Sequence, residues 1–323
     1  MNNRNYYRPI FKYNSIWGYW FRENFYGRVP SMGLFHNYHT IQTNSVGART
    51  TNDINLLEKD KKKIMFVGCS YTAGDGVSNK DRFSDIIEET ISDIRTHNYA
   101  LPGSGNDQQH LIHNYFAPLI NPDVLVLSPY VGCIGRNILK SRPTLDPLTN
   151  FIVQRPKPYF KIENDKLFLL QSPTPKYYFD KKKNINSLGN KIKKTIKLFL
   201  KKSSVLKSPW SVNEIYKKES SYTYLLGKKI MKELLKNSKA SVKIIMPIPT
   251  YRDCMEVKES AYRKFYHDIA KNSDSIFVDC LPILSSRPRK DIINLFSSGD
   301  FHLSILGHKE IAKCLTSTIN NLK

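Results

Sequence analysis

A serine, an aspartate and a histidine define the chemistry open to this chain. Ser70 follows Ile64-Met65-Phe66-Val67, four apolar residues that run through Gly68-Cys69 and on into a turn holding Gly74 and Gly76. A short apolar run of this kind reads as a buried strand, and its carboxyl end is where open α/β sheets hold their ligands. Far along the chain, Asp300-Phe301-His302 stands just before an amphipathic helical pattern. A hydroxyl attacks a carbonyl only when a base takes its proton, and an acid keeps the imidazole base in the useful tautomer. Serine at a strand end, with an acid and an imidazole together elsewhere, is the set that nucleophilic acyl chemistry requires. Blander roles exist for each residue. Ser70 could sit in an anion-binding turn, His302 could cap its helix region, and Cys69 could itself be taken for a nucleophile. Tyr71 and Asp75 read as turn-shaping residues and His308 as structural.

The elements that must position these residues alternate along the chain. Residues 63–68 predict a first strand, and 81–94 a helix with Phe83, Ile86, Ile87, Thr90, Ile91 and Ile94 on one face. A short strand follows over 96–100, then a helix through residue 116 with Asn106 as its N-cap. Strands are expected over 124–127, 242–246 and 275–278, and helices over 261–270 and 307–319. Strands alternating with helices imply a parallel, doubly wound sheet.

Two stretches break the rhythm. Residues 1–60 are rich in aromatics, including Trp17, Tyr19, Trp20 and Phe21, without a helical or strand period. They read as an irregular extension packed over the core. Residues 141–240 read as an insertion after the third strand. It holds Pro-rich loops, a hairpin over 160–170 turning at Asn164-Asp165, a basic helix over 191–202 and a further helix over 214–235. The core is then 61–140 together with 241–323.

Composition narrows the field. The chain has 323 residues, 40% of them hydrophobic, enough for a sizeable core. Cys69, Cys133, Cys254, Cys280 and Cys314 are odd in number and scattered, with neither disulfide nor metal spacing, so a reducing compartment fits. The sequence shows no apolar run of transmembrane length and no signal-peptide apolar region, which points to a cytoplasmic protein. The net charge of +22 concentrates in residues 181–207, which hold ten lysines and no acid. That run could rest on an anionic membrane at its inner face. A nucleic-acid partner is disfavoured, because no recognised motif is present and the lysines lack interleaved aromatics.

Gly68-Cys69-Ser70-Tyr71-Thr72 with Gly74 and Gly76 resembles the first block of the SGNH (GDSL) hydrolase family, which reads Gly-Asp-Ser-x-Thr, with Cys69 in place of the aspartate. Residues 98–109, from Asn98 through Gly103 to Gln109, resemble the second block. Gly299-Asp300-Phe301-His302-Leu303-Ser304 resembles the last, with one residue between acid and base where the family usually has two. Pro249-Thr250-Tyr251 also looks familial, and the resemblance spans residues 63–140 and 242–322. It implies the SGNH fold, a flavodoxin-like three-layer α/β/α sandwich. It implies Ser70 as nucleophile, His302 as base and Asp300 as the acid that orients it. The oxyanion would be met by the N–H groups of Ser70 and Gly103 and by an asparagine after the third strand. Asn137 is the only amide available there, although strand length would put Cys133 at that position. No metal or organic cofactor is called for. The implied activity is cleavage of O-acyl esters, most readily on carbohydrate, or their transfer to an acceptor hydroxyl as in O-acyltransferases. A catalytically impaired SGNH-fold binding protein is the alternative. A small-molecule or glycan ester is the expected substrate.

Overall fold

A computed structural model of the chain describes residues 10–31, 38–54, 60–145, 152–176, 179–180, 212–256, 260–298 and 300–322. Two β-hairpins come first, pairing β1 (Phe11–Asn14) with β2 (Gly18–Phe21) and β3 (Tyr26–Pro30) with β4 (Tyr38–Gln42). The expected irregular extension is thus regular in backbone. All four residues of β2 are buried, so no polar alternation betrays it as a strand. Its indole Trp20 stacks on Phe116, with ring centroids 5.7 Å apart.

The core follows as β5 (Lys62–Gly68), α1 (Ser70–Ala73), α2 (Phe83–Thr90), β6 (Ile94–Asn98), α3 (Asn106–Ile120) and β7 (Val124–Ser128). Beyond it lie β8 (Ser141–Leu145), β9 (Ile152–Pro156), the hairpin β10 (Tyr159–Glu163) and β11 (Lys166–Leu170), and β12 (Phe179–Asp180). The chain then continues as α4 (Val212–Lys217), α5 (Tyr222–Asn237), β13 (Val242–Ile245), α6 (Tyr251–Met255), α7 (Tyr262–Lys271), β14 (Ile276–Phe277), α8 (Leu281–Ser285) and α9 (Ile305–Asn320).

Five strands in the order β14-β13-β7-β5-β6 form one parallel sheet. Counted by position in the chain among these five, the order is the doubly wound 2-1-3-4-5. Helices cover both faces. α2 and α9 pack together on one side, and α3 packs with α5 on the other, giving three layers. With both faces covered, β5 and β7 are near-continuous apolar runs, and residues 64–68 and 124–128 are all buried.

Several boundaries differ from the sequence expectation. The helix expected over 81–94 ends at Thr90, because Ile91 is extended (φ −118°, ψ 109°) and Ile94 opens β6 opposite Lys62. Gly105, one residue before Asn106, caps α3. The helix expected over 214–235 is two helices, the second capped by the Ser221 hydroxyl, which accepts from the Tyr224 N–H. α5 packs on α3 and leads into β13, so this part of the 141–240 stretch serves as a crossover helix of the sheet.

β10 and β11 turn at Asn164 and Asp165, both left-handed (φ 47° and 56°), as a tight hairpin requires. Between β9 and β10, Lys157 drives its ammonium into the core to pair with buried Asp107 at the start of α3. The lysine run 181–207 and the basic helix expected over 191–202 lie outside the described residues. Among the described residues, no helix is long and apolar enough to cross a membrane. All five cysteines are free thiols.

Candidate active site

Ser70 owes its place to a crowded strand end. A Cβ on Gly68 would come within 2.1 Å of Thr72 Oγ1 and 2.6 Å of the Ser128 carbonyl, so β5 must end in glycine for the chain to turn there. The Thr72 hydroxyl donates to that same carbonyl at 2.5 Å and fastens the turn to β7. Cys69 is extended and buried, and Ser70 opens α1. The hydroxyl thus stands at the carboxyl edge where β5 adjoins β7, between the two directions in which the sheet is wound.

His302 and Asp300 reach it from the loop before α9. The Ser297 N–H donates to the His302 carbonyl at 2.7 Å and the Ser304 N–H to the Leu295 carbonyl at 2.9 Å, which draws the loop into a tight hairpin. Beside that closing pair, Phe301 is left-handed (φ 61°), a conformation costly for an aromatic residue. It is held there from two sides. Its ring stacks on Tyr251 with centroids 5.4 Å apart, and its carbonyl accepts from the Tyr71 hydroxyl at 2.8 Å. With Phe301 turned this way, two residues separated by only one position present their side chains to each other. His302 Nδ1 lies 2.7 Å from Asp300 Oδ2, and His302 Nε2 lies 2.8 Å from Ser70 Oγ. The second Asp300 oxygen accepts from the His302 N–H at 3.1 Å and from the Ser297 hydroxyl.

The charges support one another. Burial acts to raise the Asp300 carboxyl, but hydrogen bonds from His302 and Ser297 and attraction to the imidazolium outweigh it and leave the group below the usual carboxylate range. Burial acts to lower His302, and the bond to Asp300 with its charge overrides that and holds the imidazole above its ordinary value. The ring pair therefore favours a protonated histidine more than free imidazole does.

Ser70, His302 and Asp300 open on a cavity of about 280 Å³. Phe11, Phe21, Val29 and Ile41 from the N-terminal hairpins form its apolar wall. Gly103 lines it at φ +78°, and a Cβ there would meet the Tyr19 hydroxyl at 2.9 Å. The Gly103 N–H has no acceptor among the described residues, while its carbonyl is held by Arg142 Nη1 at 2.6 Å.

Two expectations need correction. Asn137 is buried away from the cavity, where its Nδ2 donates to Asn106 Oδ1 at 3.2 Å and its Oδ1 accepts from the Asp107 N–H at 3.3 Å. Its amide is spent on the first turn of α3, so it does not face Ser70. Cys133 is also fully buried and off the cavity, where its sulfur accepts from Gln109 Nε2 at 3.7 Å. The residue after β7 that does reach the cavity is Arg136, joined by Arg142 of β8, His39 of β4 and Asp75. Burial pushes the Asp75 carboxyl up to about 6 against the attraction of His302 and Arg49. Burial, helped by Arg49, pushes His39 down to about 3. Of these residues only Arg136 and Asp75 fall within stretches whose pattern draws notice in the sequence. Arg142 and His39 carry no motif that would find them.

A hydroxyl on a hydrogen-bonded imidazole, beside a glycine N–H in a partly apolar cavity, can attack an electrophilic carbonyl and shelter the resulting intermediate. No protein-family model matches the chain, and no curated protein aligns with it. Solved structures with some similarity to the chain include that of TesA, with 8% identity over 81% of this chain and 100% of that one, at a TM-score of 0.48. A lipase/acylhydrolase from Enterococcus faecalis has 10% identity over 80% of this chain and 96% of its own, at 0.44. An acetylxylan esterase from Geobacillus stearothermophilus, Axe2, has 12% identity over 79% and 93%, at 0.42. A parallel α/β sheet with Ser70, His302 and Asp300 gathered at one carboxyl edge is the arrangement that the motif resemblance to SGNH (GDSL) hydrolases implies.

Proposed function

We propose that the protein is a serine ester hydrolase of the SGNH type that works through a covalent acyl-enzyme. The observation that carries this reading is the unbroken hydrogen-bonded line from Ser70 Oγ through the His302 ring to Asp300, joining residues 232 positions apart. Ser70 Oγ attacks the ester carbonyl carbon as His302 Nε2 takes its proton. Asp300 holds Nδ1–H and balances the imidazolium charge. The N–H groups of Ser70 and Gly103 meet the developing oxyanion. When the tetrahedral intermediate collapses, His302 returns the proton to the leaving alkoxide. Water then attacks the acyl carbon as His302 takes its proton, and the bond to Ser70 Oγ breaks as His302 returns that proton to the serine and the acid leaves. A second alcohol in place of water would make the same site an O-acyltransferase. The family resemblance extends the reading to O-acyl groups on carbohydrate, and the scattered cysteines fit a reducing, cytoplasmic setting.

Replacing the nucleophile tests this directly. Ser70→Ala should abolish turnover of 4-nitrophenyl acetate, and block labelling by a fluorophosphonate that maps to Ser70 in the unaltered chain, with the melting temperature retained. Turnover near the unaltered level in a folded Ser70→Ala protein refutes the reading.

A further inference from the structure

Two guanidinium groups face the reaction cavity with no part in the acyl chemistry. Arg136 and Arg142 line the same cavity as Ser70 and His302. Each is tied to a carbonyl, Arg136 Nη1 to Ser104 at 2.9 Å and Arg142 Nη1 to Gly103 at 2.6 Å. Among the described residues, no carboxylate forms an ion pair with either. Two acids nearby are committed elsewhere, Asp300 to His302 and Ser297 and Asp107 to Lys157, while burial pushes Asp75, which lines the same cavity, toward its neutral form at about 6. Burial and the neighbouring Arg136 together draw the Arg142 guanidinium below its usual value, whereas at Arg136 burial is outweighed by the nearby Cys133 and Cys69 sulfurs, which hold that group above its own. A guanidinium presents five N–H donors, and one carbonyl at Arg142, or one carbonyl together with the Cys133 sulfur at 3.7 Å on the same Nη1 of Arg136, leaves most of each fork unused. Paired forks of this kind match the two oxygens of a carboxylate.

We propose that Arg136 and Arg142 form an anion subsite, and that the preferred substrate is an ester carrying a carboxylate close to the scissile bond. This inference rests on the ester-hydrolase reading and specifies its substrate class. The cavity of about 280 Å³ limits the group bound there to a short acyl chain or a single sugar unit. The carboxylate then lies on either the acyl or the alcohol side of the ester.

Two pairs of esters separate those sides. Mono-4-nitrophenyl succinate is compared with 4-nitrophenyl butyrate, and O-acetylated glucuronic acid with O-acetylated glucose. In at least one pair the anionic ester should be favoured tenfold or more in kcat/KM at low salt, with the difference carried by KM and eroded by added salt. Arg142→Gln should bring that ratio to about one, Arg142→Lys should keep part of it, and Arg136→Gln should lower it. A ratio of about one or less in both pairs for the unaltered protein overturns the proposal, as does a ratio unmoved by both glutamine variants. Calorimetric titration of the Ser70→Ala protein with both pairs of esters reads the subsite without turnover. Tighter binding of the anionic member in either pair supports it even if no ester is cleaved, whereas equal binding within both pairs overturns it even if esters are cleaved.

Discussion

Asp300→Asn keeps the shape of the relay and removes its logic. The Asp300 carboxylate accepts three hydrogen bonds, from His302 Nδ1 at 2.7 Å, from the His302 N–H at 3.1 Å and from the Ser297 hydroxyl. An amide in that position has two orientations. With its NH₂ toward the ring, Nδ1 must accept, so the proton moves to Nε2 and points at Ser70, and the base is lost. With its oxygen toward the ring, the NH₂ confronts the His302 backbone N–H at the former 3.1 Å contact, and a backbone donor cannot turn away as the Ser297 hydroxyl can. The first orientation should win. Loss of the correct tautomer in such a relay costs about 10⁴-fold in kcat, equivalent to roughly 5 kcal/mol of transition-state stabilisation. The assay is initial-rate hydrolysis of 4-nitrophenyl acetate against pH. In the unaltered protein His302 must be neutral to act, and its acidity is shifted so that protonation persists above the ordinary imidazole value. The rate should therefore rise with pH and level off only above that ordinary value. In Asp300→Asn the bond and charge that hold the imidazole up are gone while burial remains, so the residual rate should level off at lower pH. A folded Asp300→Asn protein within tenfold of the unaltered kcat, with an unmoved pH profile, would refute the relay.

Two further outcomes follow from buried charge. Lys157→Met leaves the Asp107 carboxylate in the core without its cation and should cost about 3–5 kcal/mol in urea unfolding, much of which the double variant Asp107→Asn/Lys157→Met should recover. At Asp75 the folded carboxyl, near 6, lies above its unfolded value of 3.8, so the unfolded chain releases its proton first. This residue therefore erodes stability as pH rises from about 4 to 6. Asp75→Asn should raise the melting temperature relative to the unaltered chain at pH 8 more than at pH 3, and an equal shift at both would contradict the assignment.

Much of the sheet can be read from the chain because its strands are short apolar runs bounded by turn residues. Residues 63–68 and 124–127 differ from β5 and β7 by one residue at one end. Ser70 is legible for the same reason, since a strand end followed by glycines leaves few other roles for a hydroxyl. The pairing of Asp300 with His302 is legible as residue types, whereas the left-handed turn at Phe301 that makes so short a spacing workable is not. That turn depends on Tyr71 and Tyr251, which are remote in sequence. Ile94 satisfies a helical period and a strand equally, and only pairing with Lys62 decides between them. Asn137 illustrates the opposite error. Residue type and order suggest a donor to the oxyanion, while its amide completes the start of α3, where unsatisfied backbone N–H groups compete for it. Arg142, in a strand outside the central sheet, reaches the cavity only through tertiary packing.

The apolar wall formed by the β1–β2 and β3–β4 hairpins places selectivity and reactivity on separate pieces of polypeptide. Residues such as Phe11, Val29 and Ile41 can drift in size without disturbing the proton path, which is anchored in the sheet and in the loop before α9. Descendants of this chain could therefore acquire new ester preferences by remodelling two small ribbons while inheriting the chemistry intact.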